Sequence, residues 1–126
     1  MLVGHSESGL FPELAALAGP SGVRAIISLE PGGGLTATPE QLAVLTKIPV
    51  LFVYGDHLDT PGTLNWVAAF QSAQTFVNQL RAAGGDATII QLPQLGIHGN
   101  SHMMFQDRNN LQVADVLMSW IRQHVK

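Results

Sequence analysis

Leu2-Val3-Gly4-His5-Ser6-Glu7-Ser8-Gly9-Leu10 is the stretch whose reading decides the fold. Apolar Leu2-Val3 reads as the end of a strand, and Leu10, Leu14 and Leu17 recur at helical spacing just beyond. Between them six residues, four of them Gly or Ser, leave room only for a sharp turn. A serine at the apex of a strand-turn-helix is held in the left-handed region, and its neighbours two positions away must be small. Gly4 and Ser8 meet that condition, although the usual fifth-position glycine is here one residue late, at Gly9. The plain alternative for Ser6 is a turn or helix-capping serine; the flanking strand and helix favour a nucleophile.

Downstream, apolar runs of strand length recur at Val23 to Leu29, Ile48 to Tyr54 and Ala87 to Leu92, separated by helical spacing. Their continuous apolar character predicts a parallel sheet covered on both faces, hence an α/β fold of about four parallel strands flanked by helices. Thr38-Pro39 with Gln41 predicts a capped helix over Pro39 to Leu45. The longest interior helix runs from about Leu64 to Gly84-Gly85, and Asn109 or Asn110 caps a final one through Ile121. Gly/Pro/Asn/Ser-rich stretches follow the strands, where parallel sheets bind ligands.

A serine hydroxyl needs a histidine to take its proton and an acid to orient that histidine. Two histidines stand in the loop Gly96-Ile97-His98-Gly99-Asn100-Ser101-His102. His102, immediately ahead of the final helix segment, is the first choice as base; His98, inside a Gly/Asn turn, is the second. Gly99-Asn100 between them opposes the helix that would bring the pair onto one metal, so no metal is expected. Three acids follow strands: Glu30 after Ser28-Leu29, and Asp56 and Asp59 after Tyr54-Gly55. Gly-Asp is ordinary turn chemistry, with His57 beside it a turn histidine, whereas a carboxylate after an apolar run must face a cleft or be paired. Spacing leaves the three nearly tied.

The chain has 126 residues, 46% hydrophobic and only 12% charged, with a formal net charge of −3. That apolar content suffices for a core, and the charge pattern speaks against nucleic acid as a partner. There is no cysteine, which removes thiolate chemistry. The longest apolar runs fall short of the ~18 residues of a membrane span. Localisation is left open.

Taken together, Gly4-His5-Ser6-Glu7-Ser8-Gly9, Ser28-Leu29-Glu30-Pro31-Gly32, and His98 to Met104 with Gln106-Asp107-Arg108-Asn109-Asn110 resemble the bacterial esterase 713-like group of the α/β-hydrolase superfamily. The resemblance implies a serine hydrolase cleaving carboxylic esters through an acyl-enzyme, with the triad Ser6, His102 and Glu30. It breaks the tie among the acids toward Glu30, with Asp56 and Asp59 as second choices. It implies an oxyanion donor at the Glu7 backbone N–H and a second from a loop outside this sequence. It implies no cofactor, a small-molecule ester as substrate, and a homodimer as one assembly. Residues 1–126 are then expected to be a single partial domain, the C-terminal half of the fold from its fifth strand onward, with the N-terminal half absent. The loop from Asp56 to Asn65, with Trp66 and Phe70, would line the acyl and alcohol pockets without a catalytic role. Two other readings remain: a catalytically incompetent fragment or interaction module, and a hydrolase of a related lactone, amide or thioester bond.

Overall fold

A computed structural model describes residues 1–62 and 64–126. Four parallel strands, β1 (Leu2–His5), β2 (Ile26–Leu29), β3 (Val50–Tyr54) and β4 (Ala87–Gln91), lie side by side in sequence order. Parallel neighbours require crossovers, and these contain α1 (Phe11–Ala18), α2 (Pro39–Leu45) and α3 (Trp66–Ala82); α4 (Asn110–His124) follows the last strand.

Alternate residues of the central strands feed two separate cores. Ile26, Val50, Phe52 and Tyr54 pack with Ala16 of α1, Leu45 of α2 and Phe76, Val77 and Leu80 of α3. Ile27, Leu29, Leu51 and Val53 turn to the opposite face, against Val113 and Trp120 of α4 with Ile97 and Met104. Every residue of β2 and β3 is buried, as expected of strands covered on both faces, with Ser28 the one aliphatic hydroxyl among them.

The local signals for α2 act as expected: Thr38 Oγ1 accepts from Gln41 N, and the Gln41 side chain accepts from Thr38 N. At the end of α3, Gly84 has φ 89°, its N–H reaching Arg81 O while Gly85 N–H reaches Leu80 O, a Schellman closure. Two expectations need adjustment. The runs beginning at Val23 and Ile48 enter their strands later, because Ile48 still belongs to the turn leaving α2, donating to Leu45 O. Asn109 occupies the N-cap position of α4, but its side chain makes no cap; its amide pairs with that of Asn100 instead. Among the described residues, no helix is long and apolar enough to cross a membrane.

The order of strands places the ends of β1, β2 and β3 next to one another. Ser6, Glu30 and Gly55 each follow directly on the last residue of their strand.

Candidate active site

Ser6 follows β1 at φ 58°, opening a single 3-10 turn, Ser6–Ser8, before α1. The left-handed region is costly for a serine, so surrounding packing has to impose it. A Cβ on Gly4 would collide with Ser8 O and come within 2.8 Å of Pro12 Cδ, so the strand can approach the helix only as glycine. Gly9 meets the same condition from the other side: a Cβ there would lie 2.6 Å from Pro31 Cβ and 2.8 Å from Ser6 O. The late glycine of the motif is thus where the turn packs against the segment following Glu30. Ser8, in the position glycine usually occupies, stays exposed and donates from Oγ to His5 O at 2.9 Å.

Among the described residues, Glu30 is the other non-glycine in the left-handed region, at φ 48°. This backbone turn follows β2, and its carboxylate is fully buried. An isolated buried carboxylate is strongly disfavoured unless donors surround it. Here Oε1 accepts from Gly55 N–H, and Oε2 accepts from His57 Nε2–H at 2.7 Å and faces His102 Nδ1 at 3.5 Å. On its far side His102 Nε2 stands 2.7 Å from Ser6 Oγ. Ser6, His102 and Glu30, 96 and 72 residues apart in pairs along the chain, therefore form one continuous line.

His102 is held by rings on several sides. His5 lies 4.8 Å away between centroids and donates from Nε2 to His102 O at 2.8 Å, and Trp66 lies over it at 4.5 Å. Partial burial lowers its pKa from the ordinary 6.5, a tendency opposed by the hydrogen bond and charge of Glu30 and reinforced by His5 and His57. The shift favours the neutral imidazole, the form able to accept a proton.

The remaining sequence candidates lie elsewhere. His98 is exposed and its Nδ1 faces Asp56 Oδ2 at 3.3 Å, while the same oxygen accepts from Gly99 N–H at 2.9 Å. Asp56 thus ties the β3 loop to the histidine loop, and Gly99 N–H is the leading cause of its lowered pKa. Asp59 borders a cleft of about 380 Å³ with Leu58, Val67 and Phe70. This cleft sits in the expected pocket-lining loop, of which position 63 lies outside the described residues. The turn that holds Ser6 has its own open hollow, lined by His5, Ser6, Glu7, Ser8 and Phe11. Two ring residues carry no site role in the sequence reading: His57, taken as a turn histidine, and Trp66, expected only to line a pocket. Their one sequence signal is position, the β3 loop and the first residue of α3.

Glu30, His57 and His102 offer three potential metal-ligand atoms within 4.8 Å of one another. The 2.7 Å between His57 Nε2 and Glu30 Oε2 is a hydrogen-bond distance, shorter than the roughly 3.3 Å between neighbouring ligands of a tetrahedral zinc. A shared proton fits that spacing better than an ion.

Comparison with known proteins gives the geometry its context. A solved structure described as a novel bacterial esterase superposes with a TM-score of 0.90 at 46% sequence identity, covering 99% of this chain and 38% of that one. The chain has an α/β-hydrolase-type fold. A thermostable esterase and the ferulic-acid complex of Est1E from Butyrivibrio proteoclasticus match with TM-scores of 0.61 and 0.58 at 17% and 19% identity, a likeness of fold. They are covered over 30% and 58% of their lengths, and this chain over 98% and 97%. Among curated proteins, a probable secreted lipase, phiG, from Fungal sp. (strain ATCC 74256) is 33% identical over 87 residues, 68% of this chain and 21% of the lipase. The chain therefore spans well under half of the bacterial esterase and about a fifth of the fungal lipase. No protein-family model matches it.

Proposed function

We propose that this chain carries the catalytic triad of a serine hydrolase acting on carboxylic esters, with Ser6 as nucleophile, His102 as base and Glu30 as acid. The observation that carries this reading is the 2.7 Å contact between His102 Nε2 and Ser6 Oγ, made by a serine at φ 58° and a histidine whose other nitrogen faces a buried carboxylate. The 46% identity to a bacterial esterase and the lipase relative support the choice of ester as substrate class.

In this mechanism Ser6 Oγ attacks the ester carbonyl carbon as its proton passes to His102 Nε2. Glu30 stabilises the imidazolium and keeps Nδ1 as the protonated nitrogen before and after. The tetrahedral oxyanion takes a hydrogen bond from the Glu7 backbone N–H, at the start of the turn that follows the nucleophile. Collapse breaks the carbon–oxygen bond to the alcohol, which leaves with the proton from Nε2. Water then attacks the acyl-enzyme with His102 again as base, and Ser6 recovers its proton when the acid departs. Residues 1–126 form in this reading one part of a larger hydrolase domain, and the second oxyanion donor belongs to residues outside them.

The test is p-nitrophenyl ester turnover by the intact protein and its Ser6→Ala variant. Loss of roughly 10³-fold or more in kcat is expected for a nucleophile acting as part of a triad; equal rates would contradict the reading. A parallel panel of lactone, amide and thioester substrates checks the bond class.

A further inference from the structure

We propose that His57 is a positioning residue for the acid of this site: its Nε2–H fixes the Glu30 carboxylate so that Oε2 addresses His102. The inference rests on the triad reading and adds to it a residue outside the three.

Oε2 of Glu30 has two imidazole neighbours, and the closer is not the proposed base. His57 Nε2 is at 2.7 Å and His102 Nδ1 at 3.5 Å. With Oε1 taken by Gly55 N–H, the carboxylate is pinned at both oxygens by the β3 loop before His102 is counted. Such pinning matters for this acid in particular, because Glu30 sits in the left-handed backbone region and is fully buried, where an undersatisfied oxygen would pull the side chain toward other donors.

His57 is suited to the task. Its side chain is only 13% exposed, and its ring meets Trp66 edge-on at 5.1 Å. Trp66 is also the ring that covers His102, at 4.5 Å, so one side chain at the start of α3 holds both imidazoles that share Oε2. The two histidine rings are 5.8 Å apart and nearly perpendicular. Their contact with Oε2 comes from different directions, which lets both address one oxygen.

The division of labour in the β3 loop follows. Glycine at 55 permits close approach, since a Cβ there would press at 3.0 Å on Glu30 Oε1 and 3.1 Å on Asn100 O. Asp56 turns to His98 and Gly99, and His57 turns back to Glu30. The loop after β3 thus supplies donors to an acid that stands on β2.

The experiment compares His57→Gln with His57→Asn in the intact protein by steady-state p-nitrophenyl ester kinetics, alongside Ser6→Ala and Glu30→Gln. Gln carries an amide N–H near the place of the imidazole Nε2–H, and Asn is one methylene too short. His57→Asn should lower kcat about 10- to 100-fold, the scale of a misplaced catalytic group, with KM within about twofold. His57→Gln should recover most of that loss. In a Glu30→Gln background, adding His57→Asn should cost less than about threefold more, because the group it acts through is already impaired. Wild-type kcat in His57→Asn, or a full further loss in the double variant, would overturn the inference. If Ser6→Ala and Glu30→Gln are impaired while His57→Asn is not, the His57 role alone falls; an unimpaired Ser6→Ala removes the triad reading and this inference with it. Circular dichroism and melting of each variant confirm the fold, and were His57→Asn to unfold, the kcat of His57→Gln decides, since retention is expected and loss would contradict.

Discussion

Glu30 is the residue on which the site turns, because of the three candidate acids it alone is fully buried and faces two imidazoles. Asp56 bonds instead to His98 and Gly99, at the exposed edge of the loop, and Asp59 borders the neighbouring cleft. Removing the charge of Glu30 while keeping its shape should therefore cost far more than the same change at either aspartate. In ester turnover, Glu30→Gln is expected to lose on the order of 10²-fold or more in kcat, and Asp56→Asn and Asp59→Asn less than about fivefold. The reverse ranking would move the acid to the β3 loop. The three acids were nearly tied in the sequence because what separates them is contact between residues 27 and 72 positions apart, which no local spacing records. The same holds for His57, whose neighbours in the chain describe only a turn.

Among the elements, the turn at Ser6 shows how a loosely matched motif keeps its geometry. Small residues are needed where backbones meet, and the meeting points are Gly4 against Ser8 O and Pro12, and Gly9 against Pro31. Ser8, between them, faces outward. Gly9→Ala should accordingly destabilise the protein by about 1–3 kcal/mol in denaturant unfolding, the usual cost of overpacking, whereas Ser8→Gly, which gives up one exposed hydrogen bond, should stay within about 1 kcal/mol. Equal effects would contradict this account of the turn. Elements with local causes were legible: the capping box sets α2 at Pro39–Leu45, and Gly84-Gly85 closes α3. Strand edges were less so, since burial continues beyond the ladder, as at Ile48. Of the two candidates Asn109 and Asn110, Asn109 takes the N-cap position, but its side chain is drawn off by the Asn100 amide of the histidine loop, a partner that no local spacing records.

For the molecule as a whole, two cores meet at one sheet, and a second carboxyl besides Glu30 is buried within the fold. Glu13 on α1 is fully buried, with Ser28 Oγ donating to Oε1 at 2.7 Å and no hydrogen-bond partner at Oε2. Burial pushes its pKa from 4.5 to about 7, against the opposing Ser28 hydrogen bond. Below pH 4.5 the carboxyl is protonated folded or unfolded. As pH rises toward 7 only the unfolded chain releases the proton, so stability falls through that window, by about 3 kcal/mol at most. Glu13→Gln should remove this loss, read as the difference in unfolding free energy between pH 5 and pH 8; an unchanged difference would contradict it. The central claim is that the left-handed turn after β1 presents an activated serine, and its most direct test is covalent. The intact protein, treated with a fluorophosphonate and digested, should carry one adduct per chain by peptide mass mapping, on Ser6, and the adduct should be lost or greatly slowed in His102→Ala. Labelling at another residue, none at all, or undiminished labelling of Ser6 without His102 would contradict the account.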